Sequence, residues 1–321
     1  MTGGNSLERL LPFQLAIVVL LALMQSAPAA LPRAGSSTQD TSSAPATVEN
    51  AWPKLTDEQQ AKAVEELKHV ADDVAQKLKH DLLLHETKYF LFYSDLNPRE
   101  AANWAGLLDR MYGRLAELFA VPKGENLWRG KGLIFVFSKA DDYRRFEREI
   151  AHVDPGSSAG MSHCFNNGIV MIAFYRQPQE LTFAHVLVHE SVHGFLHRYR
   201  SPVHIPSWAN EGLAETIASE LVPQRGRRDQ VKTSAREFIQ QHDNSLGAFF
   251  EAAHIDGWQY PVAETMCTFM ISANKRNYVD FINGMKEGLS WEDSLAQRYK
   301  APLDRLVAVY GSWVGVRGLR D

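Results

Sequence analysis

The segment 182–199 limits the fold more than any other feature, because histidines recur there at every fourth position. In a helix, residues four apart lie one above the other on the same face. Apolar residues with helical spacing run through the same segment, and it contains no proline. The sequence therefore predicts a long helix that carries a row of stacked imidazoles: His185, His189, His193 and His197.

The middle of this helix contains the pattern H-E-x-x-H, in which Glu190 follows His189 and His193 comes three residues later. Two imidazoles one turn apart can reach the same zinc ion at about 2.0–2.1 Å. We therefore predict one zinc ion (Zn2+), with His189 and His193 as ligands. Glu190 would face a metal-bound water and remove its proton. His185 and His197 lie one turn beyond this pair, so we expect them to be partly exposed or to support the ligands.

A zinc site in a hydrolase needs a third protein ligand and one open position. Glu211 is the candidate, in a predicted helix over 207–221 for which Ser207 is a plausible N-cap. A loop between this helix and the histidine helix would bring Glu211 back to the histidine pair. Glu215 lies one turn further on, and we expect it to orient a ligand histidine through its other ring nitrogen. The alternative for Glu211 is a solvated carboxylate.

Strand patterns precede the histidine helix and helical patterns follow it. We predict strands over 88–96 and 132–138, a hairpin of 160–165 and 169–174 around Asn167-Gly168, and helices over 55–84, 99–119, 141–150 and 260–273. This order indicates an α+β fold. Its N-terminal, strand-containing lobe would span 51–180 and its C-terminal helical lobe 181–321, with the metal site between them.

The N-terminus predicts export. An apolar run over 15–24 lies between Arg9 and the small-residue site Ala27-Pro28-Ala29, which is typical of a signal peptide over 1–30. The run is short for a bilayer span, and an uncleaved anchor is the alternative. Residues 31–50 are rich in Ser, Thr, Ala and Pro and predict a flexible linker. We expect a secreted, periplasmic or cell-envelope protein that meets a membrane only if the N-terminal segment stays uncleaved.

Charge argues against nucleic acid as a partner, because the net charge is -4 and the pI is near 6.3. The basic loop 225–228 is expected to be solvated surface, and a binding patch is the alternative. Cys164 and Cys267 are the only cysteines. In an exported chain they would form either a disulfide or two free thiols.

The pattern HESVH, followed by the glutamate of W-A-N-E-G-L-A-E, resembles the gluzincin branch of zinc metallopeptidases, the peptidase MA-like group. The chain lacks the G-x-M-E-N motif of the aminopeptidases, so that branch is not expected. The resemblance implies a thermolysin-like fold and a Glu-activated attack of water on peptide or protein substrates. It also implies that His189, His193 and Glu211 hold the zinc. The alternatives are a non-catalytic exported binding or scaffold protein on this fold, and a zinc hydrolase of a non-peptide substrate.

The resemblance extends to residues that would bind substrate. Members of this group use a tyrosine or histidine from the helical lobe to stabilise the oxyanion, which implies that role for Tyr260, with His254 as second candidate. The alternative for Tyr260 is a packing residue with a solvated hydroxyl. An extended substrate would pair with an edge of the hairpin. For that pairing we predict contacts to Ile169, Val170 and Met171.

Overall fold

The structure is a computed structural model that describes residues 51–321. The predicted signal peptide over 1–30 and the predicted linker over 31–50 lie outside the described residues. The described part is α+β, with one five-stranded sheet and helices around it, which confirms the predicted fold class. Within residues 51–321, no helix has both the length and the apolar character needed to cross a bilayer.

The sheet has the strand order β1-β2-β3-β5-β4. Its strands are β1 (Leu83–Glu86), β2 (Phe90–Ser94), β3 (Gly132–Phe137), β4 (Gly160–Cys164) and β5 (Val170–Tyr175). β3 pairs in parallel with β2 and β5, whereas β1 and β4 pair antiparallel with their neighbours. The predicted hairpin is confirmed: β4 and β5 flank Asn167-Gly168, and Gly168 has a φ of 84°, which a turn residue without a side chain adopts readily.

Most helices follow the sheet in the chain, as the sequence predicts. They are α1 (Asp57–Leu78), α2 (Pro98–Leu118), α3 (Ala140–Phe146), α4 (Glu180–Arg198), α5 (Ser207–Leu221), α6 (Arg227–Gln241), α7 (Tyr260–Ala273), α8 (Lys275–Lys286), α9 (Trp291–Ser294) and α10 (Leu303–Val314). The predicted helices over 207–221 and 260–273 have the same bounds in the structure. The histidine helix is confirmed as α4.

Both faces of the sheet are buried, which explains why its central strands read as continuous apolar runs. Along β3, Ile134 and Val136 face a core built with α2 and the helices that follow the sheet. Leu133 and Phe135 face a second core built with α1 and α3. This alternation has the two-residue period of a strand. It places α4, through its apolar side, on the first of these faces.

Two glycines allow the helices of the candidate site to approach their neighbours closely. A Cβ at Gly194 in α4 would lie 2.7 Å from Val170 Cγ1 on β5. A Cβ at Gly212 in α5 would overlap the carbonyl of Ala263 and lie 2.6 Å from Cys267 Sγ, both on α7. The absent side chains therefore let α4 lie directly on the sheet and let α5 pack against α7.

The predicted cap of α5 is wrong by one residue. Pro206 is the N-cap, and Ser207 is the first helical residue. The backbone N–H groups of Ala209 and Asn210 both bond to the Pro206 carbonyl, as expected where the fixed φ of proline precedes a helix. The Ser207 hydroxyl instead accepts a hydrogen bond from the Ile255 N–H at 3.2 Å, so it ties α5 to the loop before α7.

Candidate metal centre

Helices α4 and α5 bring three donor atoms together. His189 Nε2 lies 3.1 Å from His193 Nε2, and Glu211 Oε2 lies 3.2 Å from the first and 3.5 Å from the second. Ligand atoms around a tetrahedral zinc ion with bonds of about 2.0–2.1 Å are separated by about 3.3 Å. Two imidazoles and a carboxylate are also ligands that zinc prefers. Both the spacing and the chemistry of these donors therefore fit one zinc ion.

The three side chains influence one another strongly because they are largely buried. Burial alone would lower the pKa of His189, but hydrogen bonds to Glu211 and Glu215 outweigh it and raise the pKa to about 10. Burial alone would raise the pKa of Glu211, but hydrogen bonds from His189 and His193 lower it to about 2. The carboxylates thus hold a proton on the His189 imidazole, and a divalent cation would have to displace that proton on binding.

Glu215 lies behind the donor triad. Its Oε1 is 3.1 Å from His189 Nδ1, and its Oε2 is 2.9 Å from His185 Nε2. Burial would raise its pKa, but hydrogen bonds from these two histidines hold the pKa well below the usual range for a glutamate. A carboxylate that accepts from Nδ1–H leaves the lone pair of the ring on Nε2, where a metal can bind. Glu215 therefore lies within hydrogen-bond reach of the second ring nitrogen of His189, and its orienting role stays a prediction.

Glu190 lies beside the histidine pair, and donor atoms of the three residues lie within 4.8 Å of one another. The hydroxyl of Ser162, on β4, is 2.6 Å from the Glu190 backbone carbonyl and 3.1 Å from its Oε2. Ser162 therefore links the hairpin to the carboxylate predicted to act as general base. Sequence reasoning missed this serine, because no motif connects it to α4.

Tyr260 is the first residue of α7, and a capping box of Asp256 and Gln259 precedes it. The phenol is half-buried and faces the carboxylates of the site. Burial, together with the negative charges of Glu211 and Glu190, raises the pKa of Tyr260 to about 12. The hydroxyl therefore stays protonated at neutral pH and remains a hydrogen-bond donor. His254, the second candidate, is exposed.

The structure places the predicted substrate contacts Ile169, Val170 and Met171 at the start of an inner strand, so it gives this prediction no support. β5 lies between β3 and β4, so its backbone is already hydrogen bonded along both edges. The three side chains are also buried, with 8%, 2% and 2% of their surfaces exposed. The hairpin pattern does not indicate which strand is outermost, and the parallel pairing of β5 with β3 leaves that position to β4.

The other two histidines of α4, His185 and His197, lie outside the donor triad and form hydrogen bonds with other groups. His185 contacts Glu215, as described above. His197 Nε2 lies 3.1 Å from the Phe165 carbonyl, and burial lowers the pKa of His197 to about 4, so it is neutral and donates this bond. Cys164 and Cys267 are free thiols in the structure.

The basic loop 225–228 is only partly the solvated surface that its composition predicts. Arg225 and Arg228 are exposed, but Arg227 is half-buried. Its Nη2 lies 3.0 Å from Glu215 Oε2 and 3.3 Å from Glu264 Oε2. The expectation fails for Arg227 because neither carboxylate is near it in the sequence.

No protein-family model matches the chain, and no curated protein matches it either. The chemistry that the chain can perform follows from three features of the site: three donors with the spacing of zinc ligands, a carboxylate beside them, and a protonated phenol close to Glu211.

Proposed function

We propose that this protein is a zinc metallopeptidase of the gluzincin type, with a thermolysin-like arrangement of its strand-containing and helical parts. The observation that carries the proposal is the convergence of His189, His193 and Glu211, whose donor atoms are 3.1–3.5 Å apart. A charged, partly buried donor set of this composition is typical of a functional centre. Glu190 beside it makes hydrolysis the reaction that the site supports best.

When bound, zinc would act as a Lewis acid and lower the pKa of a coordinated water. Glu190 would act as the general base that takes a proton from the attacking water, and would then deliver that proton to the leaving amine as the peptide bond breaks. Ser162 holds the Glu190 side chain in place, since its hydroxyl is 3.1 Å from Glu190 Oε2. Tyr260 donates a hydrogen bond to the developing oxyanion, a role that requires its phenol to be protonated.

The substrate is proposed to be a peptide in extended form that adds to the outer edge of β4. Within residues 51–321, this edge pairs with no other strand. Ser162 on the same strand contacts Glu190, so a peptide paired with β4 would have its backbone near the catalytic carboxylate. The N-terminal sequence over 1–30 supports the proposal that the enzyme works outside the cytoplasm.

The variant Glu190→Gln tests the proposal. It keeps the size of the side chain but cannot take up a proton, so we expect zinc to remain bound while kcat falls by about 100-fold or more. Zinc content is measured by elemental analysis and turnover with a peptide library, both before and after treatment with a chelator. Glu180→Gln is the matched control, because Glu180 lies on the same helix and is exposed.

Each outcome has a distinct meaning. Full peptidase activity in Glu190→Gln would refute the assigned mechanism. A wild-type protein that binds zinc but cleaves no peptide in the library would point to a non-peptide substrate or a binding role. A wild-type protein that binds no zinc would overturn the proposal.

A further inference from the structure

Arg227, the first residue of α6, connects two carboxylates that come from different helices. Its Nη2 lies 3.0 Å from Glu215 Oε2 on α5 and 3.3 Å from Glu264 Oε2 on α7. Its Nε donates to Ser219 Oγ at 2.8 Å, and that hydroxyl donates to Glu264 Oε1 at 2.7 Å. One guanidinium thus joins α5, α6 and α7 in a closed ring of hydrogen bonds.

Both carboxylates are tied to the candidate centre. Glu215 is 3.1 Å from Nδ1 of the ligand candidate His189. Glu264 lies four residues after Tyr260, so the two share one face of α7. A displaced Glu215 would lose the hydrogen bond that orients the His189 ring, and a shift of α7 at Glu264 would also shift Tyr260, one turn away on the same helix.

The concentration of glutamates around Arg227 explains why a positively charged side chain is favourable at this position. Glu190, Glu211, Glu215 and Glu264 bring several negative charges into a small, largely buried volume. Among residues 51–321, Arg227 is the only arginine or lysine whose side-chain nitrogen lies within 4.0 Å of a carboxylate oxygen of Glu215 or Glu264. A buried carboxylate without a partner is costly, and a planar guanidinium can serve two carboxylates and a hydroxyl at once, which a lysine ammonium does less well.

We propose that Arg227 is a positioning residue of the zinc centre: it fixes Glu215 behind His189 and holds the turn of α7 that carries Tyr260 against α5. The inference rests on the proposed function. It assigns to Arg227 two effects, one on zinc affinity through Glu215 and one on transition-state stabilisation through Tyr260.

The test measures zinc affinity, by competition with a chromophoric chelator, and kcat and KM of the zinc-loaded full-length protein. For Arg227→Met we expect a loss of about 10- to 100-fold in zinc affinity, the usual effect of removing a group that supports a ligand. Arg227→Lys should recover part of that loss. Arg228→Met is the matched control, since Arg228 is the next residue, is exposed, and forms no ion pair within residues 51–321. If Arg227→Met does not fold, Arg227→Lys and Glu264→Gln are measured in its place.

The effect through Tyr260 is tested in a double-mutant cycle. Arg227→Lys should lower kcat of the wild-type protein with little change in KM, and should lower kcat less when Tyr260→Phe is already present, because the group that it positions is gone. A purely structural role would lower the melting temperature. It would leave zinc affinity unchanged, and the effects of the two substitutions on kcat would be additive.

Three results distinguish whether Arg227 positions the zinc centre. Weaker zinc binding together with a non-additive cycle supports the inference. Zinc affinity and kcat within twofold of wild type in both Arg227 variants would overturn it, while leaving the proposed function intact. Failure of the wild-type protein to bind zinc would overturn the proposed function and this inference with it.

Discussion

Replacement of Glu215 by glutamine tests how the site orients its histidines. The carboxylate faces donors on both sides, with Oε1 3.1 Å from His189 Nδ1 and Oε2 within 3.0 Å of His185 Nε2 and Arg227 Nη2. A glutamine has one oxygen and one NH2 group. If the oxygen faces Arg227, the NH2 group meets His189 Nδ1 and favours the tautomer with its proton on Nε2. That tautomer cannot bind a metal through Nε2.

The magnitude follows from the contacts that are lost. A hydrogen bond to a charged group contributes about 1.5–3 kcal/mol, and Glu215→Gln loses at least one of them whichever way the amide is oriented. Each 1.4 kcal/mol corresponds to about a tenfold change in affinity, so zinc should bind about 10- to 100-fold more weakly. Chelator competition on the purified full-length protein measures this directly, and kcat/KM at saturating zinc reports whether the loaded site is also misoriented.

Glu220→Gln is the control for this experiment. Glu220 lies on the same helix and is exposed, and its ion pair with Arg114 is on the surface. Its removal should cost at most about 1 kcal/mol of stability and leave zinc affinity unchanged. If Glu215→Gln binds zinc within twofold of the wild-type protein, Glu215 does not orient His189 and the reasoning is refuted.

Three further predictions concern other parts of the chain. Tyr260→Phe should reduce kcat by about 100-fold with a small change in KM, since it removes one donor to the oxyanion; equal turnover in steady-state assays would exclude that role. Gly212→Ala should lower the free energy of unfolding by about 1–3 kcal/mol in urea titrations, because the added Cβ meets the Ala263 carbonyl; an unchanged midpoint would contradict the close packing of α5 on α7. Burial lowers the pKa of Lys286 to about 7 from 10.5. Between these pH values the unfolded chain binds the extra proton, so stability should rise with pH from about 7 to 10.5, and Lys286→Met should remove that rise.

Local patterns were sufficient for the helices that carry the candidate site. The spacing of apolar residues predicts α4, and the bounds of α5 and α7 agree with the structure. The same patterns failed where one residue decides the outcome, as at Ser207, because Pro206 can serve as the N-cap without a side-chain hydrogen bond. Strand order also lay beyond them, because the hairpin pattern leaves open which of its two strands is outermost.

The sequence by itself determined the α+β class, the hairpin, and the helical face that presents His189, Glu190 and His193, because each depends on residues close together in the chain. Only the tertiary structure decided that Glu211 lies 3.2 Å from His189, that β4 is the outer strand, and that Ser162 and Arg227 reach the site. Those contacts join residues far apart in the chain. They depend on how helices and strands pack in three dimensions, which periodicity along a single element does not specify.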